Sequence, residues 1–229
     1  ASLLRRLRDT GATFLFGVPT HAIDLLAELR RDGGELPDLA GFRISGAAVP
    51  DAVCAELLDH GITPQSGYGM TEACSHHYTL PDDPPARITG TSGTACSGYE
   101  VRVFAQDDPN REAAVNEIGQ IGGRGSSLML GYFEDAAATA ASFNNAGFFM
   151  TGDIGALDAD GYLRITGRKK DVIIRGGHNI YPARIEALAM RHGAVERAAA
   201  VPVPDERLGE RVCITVTLRP DGDLESNDL

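Results

Sequence analysis

Tryptophan is absent from the 229 residues, and cysteine is scarce: Cys54, Cys74, Cys96 and Cys213 stand apart with no C-x-x-C spacing. That scatter suggests neither a zinc-ligand set nor a disulfide framework, and reduced thiols in a cytoplasmic setting are the expectation. No apolar run approaches the roughly 18 residues of a membrane span. The opening Leu3-Leu4-Arg5-Arg6-Leu7-Arg8 reads as a charged amphipathic helix rather than a signal peptide. Nothing repeats at a solenoid period. Positive charge is short as well: 21 Lys and Arg against 32 Asp and Glu leave a net −11, which argues against nucleic acid and anionic membrane surfaces as main partners. Core-forming residues are not short. At 43% hydrophobic the chain can build one generous domain or two smaller ones.

Residues 1–64 alternate between strand and helix patterns. Phe14–Pro19 is read as a short buried strand running into a turn, and Ile23, Leu26, Ala27 and Leu29 fall near helical spacing. Phe42–Gly46 is a second strand, followed by a helix from Pro50 to Gly61 with proline at its start and glycine past its end. Residues 62–65 then lead, extended, into a glycine-rich turn at 66–69. This order implies part of a parallel sheet with helical crossovers. Beyond the rigid polar link Pro81–Pro85 the texture becomes β-like, with strands at 100–104, 117–121 and 161–166 and one helix at 134–143, so a small antiparallel barrel or sheet is expected. The last block reads as α+β: a charged bend at 167–171, a short strand, a glycine pair opening towards a helix at 183–192, and strands at 198–203 and 211–218.

Several residues invite a chemical reading beside a plain one. Thr71-Glu72 follows the glycine-rich turn at the carboxyl end of a presumed strand, where open α/β sheets bind ligands. A threonine hydroxyl and exposed N–H groups there can hold a phosphate, and Glu72 can share a Mg²⁺ with it; alternatively Thr71 caps a helix. Asp153 can accept hydrogen bonds from two ribose hydroxyls, or simply form an Asx turn. Arg168 lies fifteen residues on, beyond an Asp158–Gly161 turn, so two strands joined by that turn would return it beside Asp153. Gly176 and Gly177 permit close approach of a ligand, or merely a turn. His76 and His77 are adjacent, a poor geometry for one metal ion, and read best as a solvated pair. Thr91-Ser92-Gly93-Thr94 is read as linker.

Together, Tyr68-Gly69-Met70-Thr71-Glu72, Thr151-Gly152-Asp153 and the stretch from Gly167 to Pro182 resemble, in order and spacing, the adenylate-forming enzymes: acyl-CoA synthetases, firefly luciferase and peptide-synthetase adenylation domains. The resemblance implies an α/β part and a β-barrel-like part of the large AMP-binding domain, at 1–80 and 81–169, then an incomplete small α+β domain at 170–229 with its hinge at Lys170. By the same resemblance Thr71 contacts the α-phosphate, Glu72 holds Mg²⁺, and Tyr68 stacks on adenine beside Gly69 and Met70. Gly46, Ala47, Ala48 and Val49 stand where the family's Ser-Gly-Gly-Ala-Pro loop runs along the adenine edge, although Val49 replaces its usual proline. Asp153 and Arg168 match the pair on the ribose, and Gly176 and Gly177 border the channel for the pantetheine arm of CoA. The Tyr-Gly-Met-Thr-Glu form, with Asn179–Glu186, is similar to acid–CoA ligases. The implied activity is therefore an ATP-dependent ligation through acyl-AMP to acyl-CoA, with ATP, Mg²⁺, CoA and a small carboxylic acid (fatty, aromatic or alicyclic) as its reactants, and a homodimer is left open.

The resemblance is incomplete. No Thr/Ser/Gly-rich loop followed by Pro-Lys-Gly occurs, nor the family's Pro-x-Thr-x-x-Gly-Lys segment. An inactive fragment able to hold the adenosine part of AMP is the resulting expectation. An adenylation domain loading a carrier-protein thiol, and a non-catalytic AMP-binding module, remain alternatives.

Overall fold

A computed structural model of the chain describes residues 3–47, 49–220 and 222–224. Helix α1 (Leu3–Thr10) buries Leu4 and Leu7 and turns its arginines outward, as the opening pattern requires. Strand β1 (Phe14–Gly17), α2 (Pro19–Asp32), β2 (Gly41–Ser45), α3 (Asp51–Asp59) and β3 (Thr63–Met70) follow in alternation. Pro19 occupies the first turn of α2, where a missing N–H breaks no helical bond, and Gly33 closes the helix at φ +66 with its N–H 2.9 Å from the Leu29 carbonyl. Phe14 lies opposite Gly41 and Gly41 opposite Thr63 in parallel pairing, a geometry that needs crossovers, here α2 and α3. Leu25, Leu26, Leu29, Phe42, Ile44, Leu57 and Ile62, none more than 2% exposed, form the core between helices and sheet. Phe14 and Phe16 remain exposed on β1, the end strand of the sheet.

Two expectations change in this block. The glycines at 67 and 69 make no turn: β3 runs through them to Met70 and pairs antiparallel with β4 (Cys74–Tyr78). Gly69 serves close approach instead, because a Cβ there would overlap the Cys74 carbonyl and Ser75 Cα. His76 and His77 are not solvated either; both are fully buried. Tyr68 opposes His77 while Gly69 opposes Ser75, so His76 is the extra residue of a β-bulge that breaks the usual alternation. After α4 (Pro85–Gly90), β5 (Thr94–Ala95) pairs with β4, and the sheet order is β1-β2-β3-β4-β5. Thr94 thus belongs to a strand and not to a linker.

A second sheet, in the order β6-β7-β8-β9, is built from β6 (Tyr99–Phe104), β7 (Gly119–Gly125), β8 (Phe149–Leu157) and β9 (Leu163–Arg168). β7 extends beyond the expected segment because Gly122, Gly123 and Gly125 leave room for the rings of Phe104 and Tyr99 on the paired strand. Helix α5 (Ala136–Ala141) is shorter than expected. Asp135 caps its start at 2.8 Å from the Ala138 N–H, and Phe143 leaves it to bridge Phe149.

The chain divides into two compact units, 1–151 with 156–165, and 152–155 with 166–229. In the second unit Lys169–Asp171 form a single 3₁₀ turn, followed by β10 (Ile173–Arg175), β11 (His178–Ile180), α6 (Pro182–Ala189), β12 (Val195–Asp205) and β13 (Gly209–Leu218). The sheet order is β11-β10-β13-β12, all antiparallel. Gly176 and Gly177 do not open towards a helix. They are the two-residue turn of the β10–β11 hairpin, at φ +57 and +85, the positive angles that a primed hairpin turn demands. Pro202 and Pro204 lie in β12, the edge strand, where a missing N–H is tolerated.

Candidate functional site

The parallel strands β1, β2 and β3 end on one side of their sheet, and the loops leaving them emerge there together. Ser45 pairs in register with Gly67, so the loop beginning at Gly46 starts beside Tyr68. This brings Gly46, Ala47 and Val49 to the same end as Tyr68, Gly69, Met70, Thr71 and Glu72; Ala48 lies outside the described residues. Gly46 has φ +92, a backbone angle that favours glycine, and Val49 packs against the core cluster. Thr71 is exposed and Glu72 half-buried in the turn between β3 and β4. Tyr68 is 8% exposed, packed against Ile121 and Leu163, with its ring edge-on to His76 at 4.8 Å.

Glu72 is held by a residue that sequence reasoning missed. The Tyr132 hydroxyl donates to Glu72 Oε1 at 3.1 Å, and the Met129 N–H donates to the Glu72 carbonyl at 2.7 Å. Burial and the bond to Glu72 raise the Tyr132 phenol above the usual tyrosine range, which keeps it a donor. No periodicity links residues sixty apart, so Tyr132 carried no signal beyond an aromatic after a glycine.

Behind the turn, His76 stacks on Tyr99 at 4.5 Å, and none of the four imidazole nitrogens of His76 and His77, nor the Tyr99 hydroxyl, has a hydrogen-bond partner among the described residues. Desolvation pushes His76 down to about 4 and His77 to about 3, the latter helped by its neighbour, so both rings are neutral near pH 7.

In the second unit, Asp153 and Arg168 meet. Asp153 Oδ1 is 3.3 Å from Arg168 Nε, with Asp153 only 6% exposed and the guanidinium largely open to solvent. The chain returns between them through the 158–161 turn, where Asp158 accepts from the Asp160 and Tyr162 N–H groups and is ion-paired to Arg87. Lys170 is exposed in the 3₁₀ turn, and Gly176 and Gly177 are exposed at the hairpin tip, with the Gly176 N–H bonded to the Leu208 carbonyl at 2.8 Å. A depression of about 590 Å³ lies beside that hairpin, lined by Arg175, Arg207 and Arg211 but also by Asp205 and Glu206. Asp205 is held below the usual carboxylate range by the Leu208 and Arg207 N–H groups and by Arg211, 2.7 Å away.

Among the described residues no three His, Cys, Asp or Glu side chains are grouped to hold a metal ion by themselves. No described helix is long and apolar enough to cross a membrane.

The model of the AMP-binding enzyme family matches residues 1–133, and that of the AMP-binding enzyme C-terminal domain matches residues 184–229. The medium-chain fatty-acid–CoA ligase of Escherichia coli K12 is 35% identical over 216 residues, which is 94% of this chain and 38% of that enzyme. The ATP-bound structure of MatB from Rhodopseudomonas palustris superposes with a TM-score of 0.89 at 30% identity, covering 96% of this chain and 44% of that one. The o-succinylbenzoate CoA synthetase of Bacillus subtilis, in complex with its acyl-adenylate intermediate, gives a TM-score of 0.85 at 27% identity, over 99% of this chain and 45% of that one. The chain thus spans about two-fifths of the length of the curated relatives it matches.

Proposed function

Because this chain belongs to the family of AMP-binding enzymes, we propose that the whole protein is an ATP-dependent acid–CoA ligase of the cytoplasm, with the described residues supplying part of its nucleotide site. The observation that carries this reading is the Asp153–Arg168 pair: a carboxylate 6% exposed, fixed by a guanidinium, suited to accept hydrogen bonds from the two hydroxyls of a ribose. In the first step the substrate carboxylate attacks the α-phosphorus of ATP, the bond from that phosphorus to the bridging oxygen breaks, and pyrophosphate leaves. In the second, the thiol sulfur of CoA attacks the acyl carbon and AMP departs.

The residues take roles in keeping with their places. Thr71 and nearby N–H groups donate to the α-phosphate oxygens as charge builds there. Gly46, Ala47 and Val49 offer backbone along the adenine edge, with Tyr68, Gly69 and Met70 as its wall. A carboxylate at Glu72, outside any three-residue group of His, Cys, Asp or Glu among the described residues, suits a Mg²⁺ that would arrive on the phosphates and take most of its oxygen ligands from nucleotide and water. When bound, that ion neutralises phosphate charge. Lys170 serves as the hinge between 1–169 and 170–229, and Gly176 and Gly177 flank the thiol path. Fixing the nucleotide in this way makes the first step effectively intramolecular.

Calorimetric titration with AMP tests the ribose assignment. Asp153→Ala is expected to weaken AMP binding at least tenfold; unchanged affinity would remove Asp153 from the site. Supplying CoA and a carrier protein side by side, in a thioester assay on the whole enzyme, decides the acceptor.

A further inference from the structure

The segment from Gly125 to Asp135 contributes little to any core: Leu130 is fully exposed, Phe133 is 91% exposed and Tyr132 38% exposed. Yet it is tied down at three points. The Ser127 hydroxyl donates to the Ala73 carbonyl at 2.9 Å, the Met129 N–H donates to the Glu72 carbonyl at 2.7 Å, and the Tyr132 N–H donates to Thr139 Oγ1 at 2.9 Å. Thr139 sits in α5 and its hydroxyl donates a hydrogen bond to the Asp135 carbonyl at 2.8 Å, so the start of that helix anchors the segment. Gly131, at φ +154 and within 3.0 Å of Thr139 if it bore a Cβ, lets the chain pass close to the helix. Two of these ties fall on the backbone of the 71–73 turn, and the Tyr132 side chain adds another on Glu72 itself.

We propose that Tyr132 is a positioning residue for Glu72: its hydroxyl donates to Oε1 at 3.1 Å and leaves Oε2 to a nucleotide-bound divalent cation. A half-buried glutamate otherwise samples several rotamers, and a donor on one oxygen selects the one that the cation needs. The inference rests on the reading of Glu72 as the metal-holding carboxylate. It adds that the metal site depends on a residue sixty positions away, through a segment whose Leu130 and Phe133 stay exposed. Tyr132 touches neither nucleotide nor acid in this scheme.

Mn²⁺ provides the probe, its binding to the chain in the presence of ATP followed by water-proton relaxation. Tyr132→Phe is expected to weaken Mn²⁺ binding about tenfold, as loss of an outer hydrogen bond to a metal ligand commonly does. Affinity for AMP without metal should stay as it was. Thr139→Ala, which frees the Tyr132 backbone and keeps the phenol, should show a smaller loss in the same direction. If Tyr132→Phe lowers AMP and Mn²⁺ affinity alike, the tyrosine is only structural and the proposal is overturned. If Glu72→Gln loses Mn²⁺ while Tyr132→Phe does not, the proposal falls and the Glu72 reading stands. If Glu72→Gln keeps full Mn²⁺ affinity, or the unaltered chain binds no Mn²⁺ with ATP, both fall.

Discussion

His76 and His77 are buried as neutral rings because a bulge places two neighbours of one strand in the interior together. An unfolded histidine titrates near 6.5, whereas these are lowered to about 4 and about 3. Between those values and 6.5 the unfolded chain binds more protons than the folded one. Stability is therefore whole above pH 6.5 and drains away as the pH falls through that window. By pH 5.5 the loss should reach about 1 kcal/mol for each ring, a drop in Tm of roughly 5 °C for the pair. Thermal unfolding between pH 7 and 5 measures it, and His77→Leu should flatten the profile; an equally steep profile in the variant would place the protonation elsewhere. The sequence could not show this burial, since strict alternation puts adjacent residues on opposite faces and a bulge has no signature in a single chain. Asp153 and Arg168 were legible for the opposite reason: a turn signal midway between them fixed their return.

At the scale of elements, helices and parallel strands of the first block follow from apolar spacing and from proline and glycine at helix ends, and little of them was misplaced. Glycine misled where it served contact rather than turning. In β3 it admits the β4 backbone, and in β7 it admits aromatic rings, so runs that look like loops are strands. The Gly176-Gly177 pair does make a tight turn, and a two-residue hairpin between short strands is where glycine at positive φ belongs. Helix α5 illustrates how a short element depends on its cap. It contains six residues, four of them alanine beyond the first, and buries no side chain, so Asp135 contributes much of what holds it. Asp135→Ala should cost about 1 kcal/mol in urea unfolding. Because Thr139 lies in the same helix, the variant should also loosen Tyr132, and Mn²⁺ affinity measured alongside should fall with it; retained affinity would mean that the segment from Gly125 to Asp135 holds without its helix.

Over the whole molecule, charge is unevenly shared. The second unit carries ten Lys and Arg against eleven Asp and Glu, while the first carries eleven against twenty-one, so nearly all the net −11 belongs to the first. The overall negative sign, readable from composition, therefore says little about the second unit, where Arg168, Lys169, Lys170 and Arg175 stand. The end strand of the first sheet has a different consequence. β1 presents Phe14 and Phe16, 53% and 66% exposed, two residues apart and hence on one face, on a strand at the end of the sheet order. Natural sheets commonly protect such edges with charge or proline, and this one has neither. In concentrated solution the 229-residue chain is expected to self-associate along β1, giving a light-scattering mass that rises with concentration, and Phe16→Lys should hold it to 24.3 kDa. Handling of the 229-residue chain on the bench is then a colloidal matter: one greasy ribbon edge sets how much of it stays in solution.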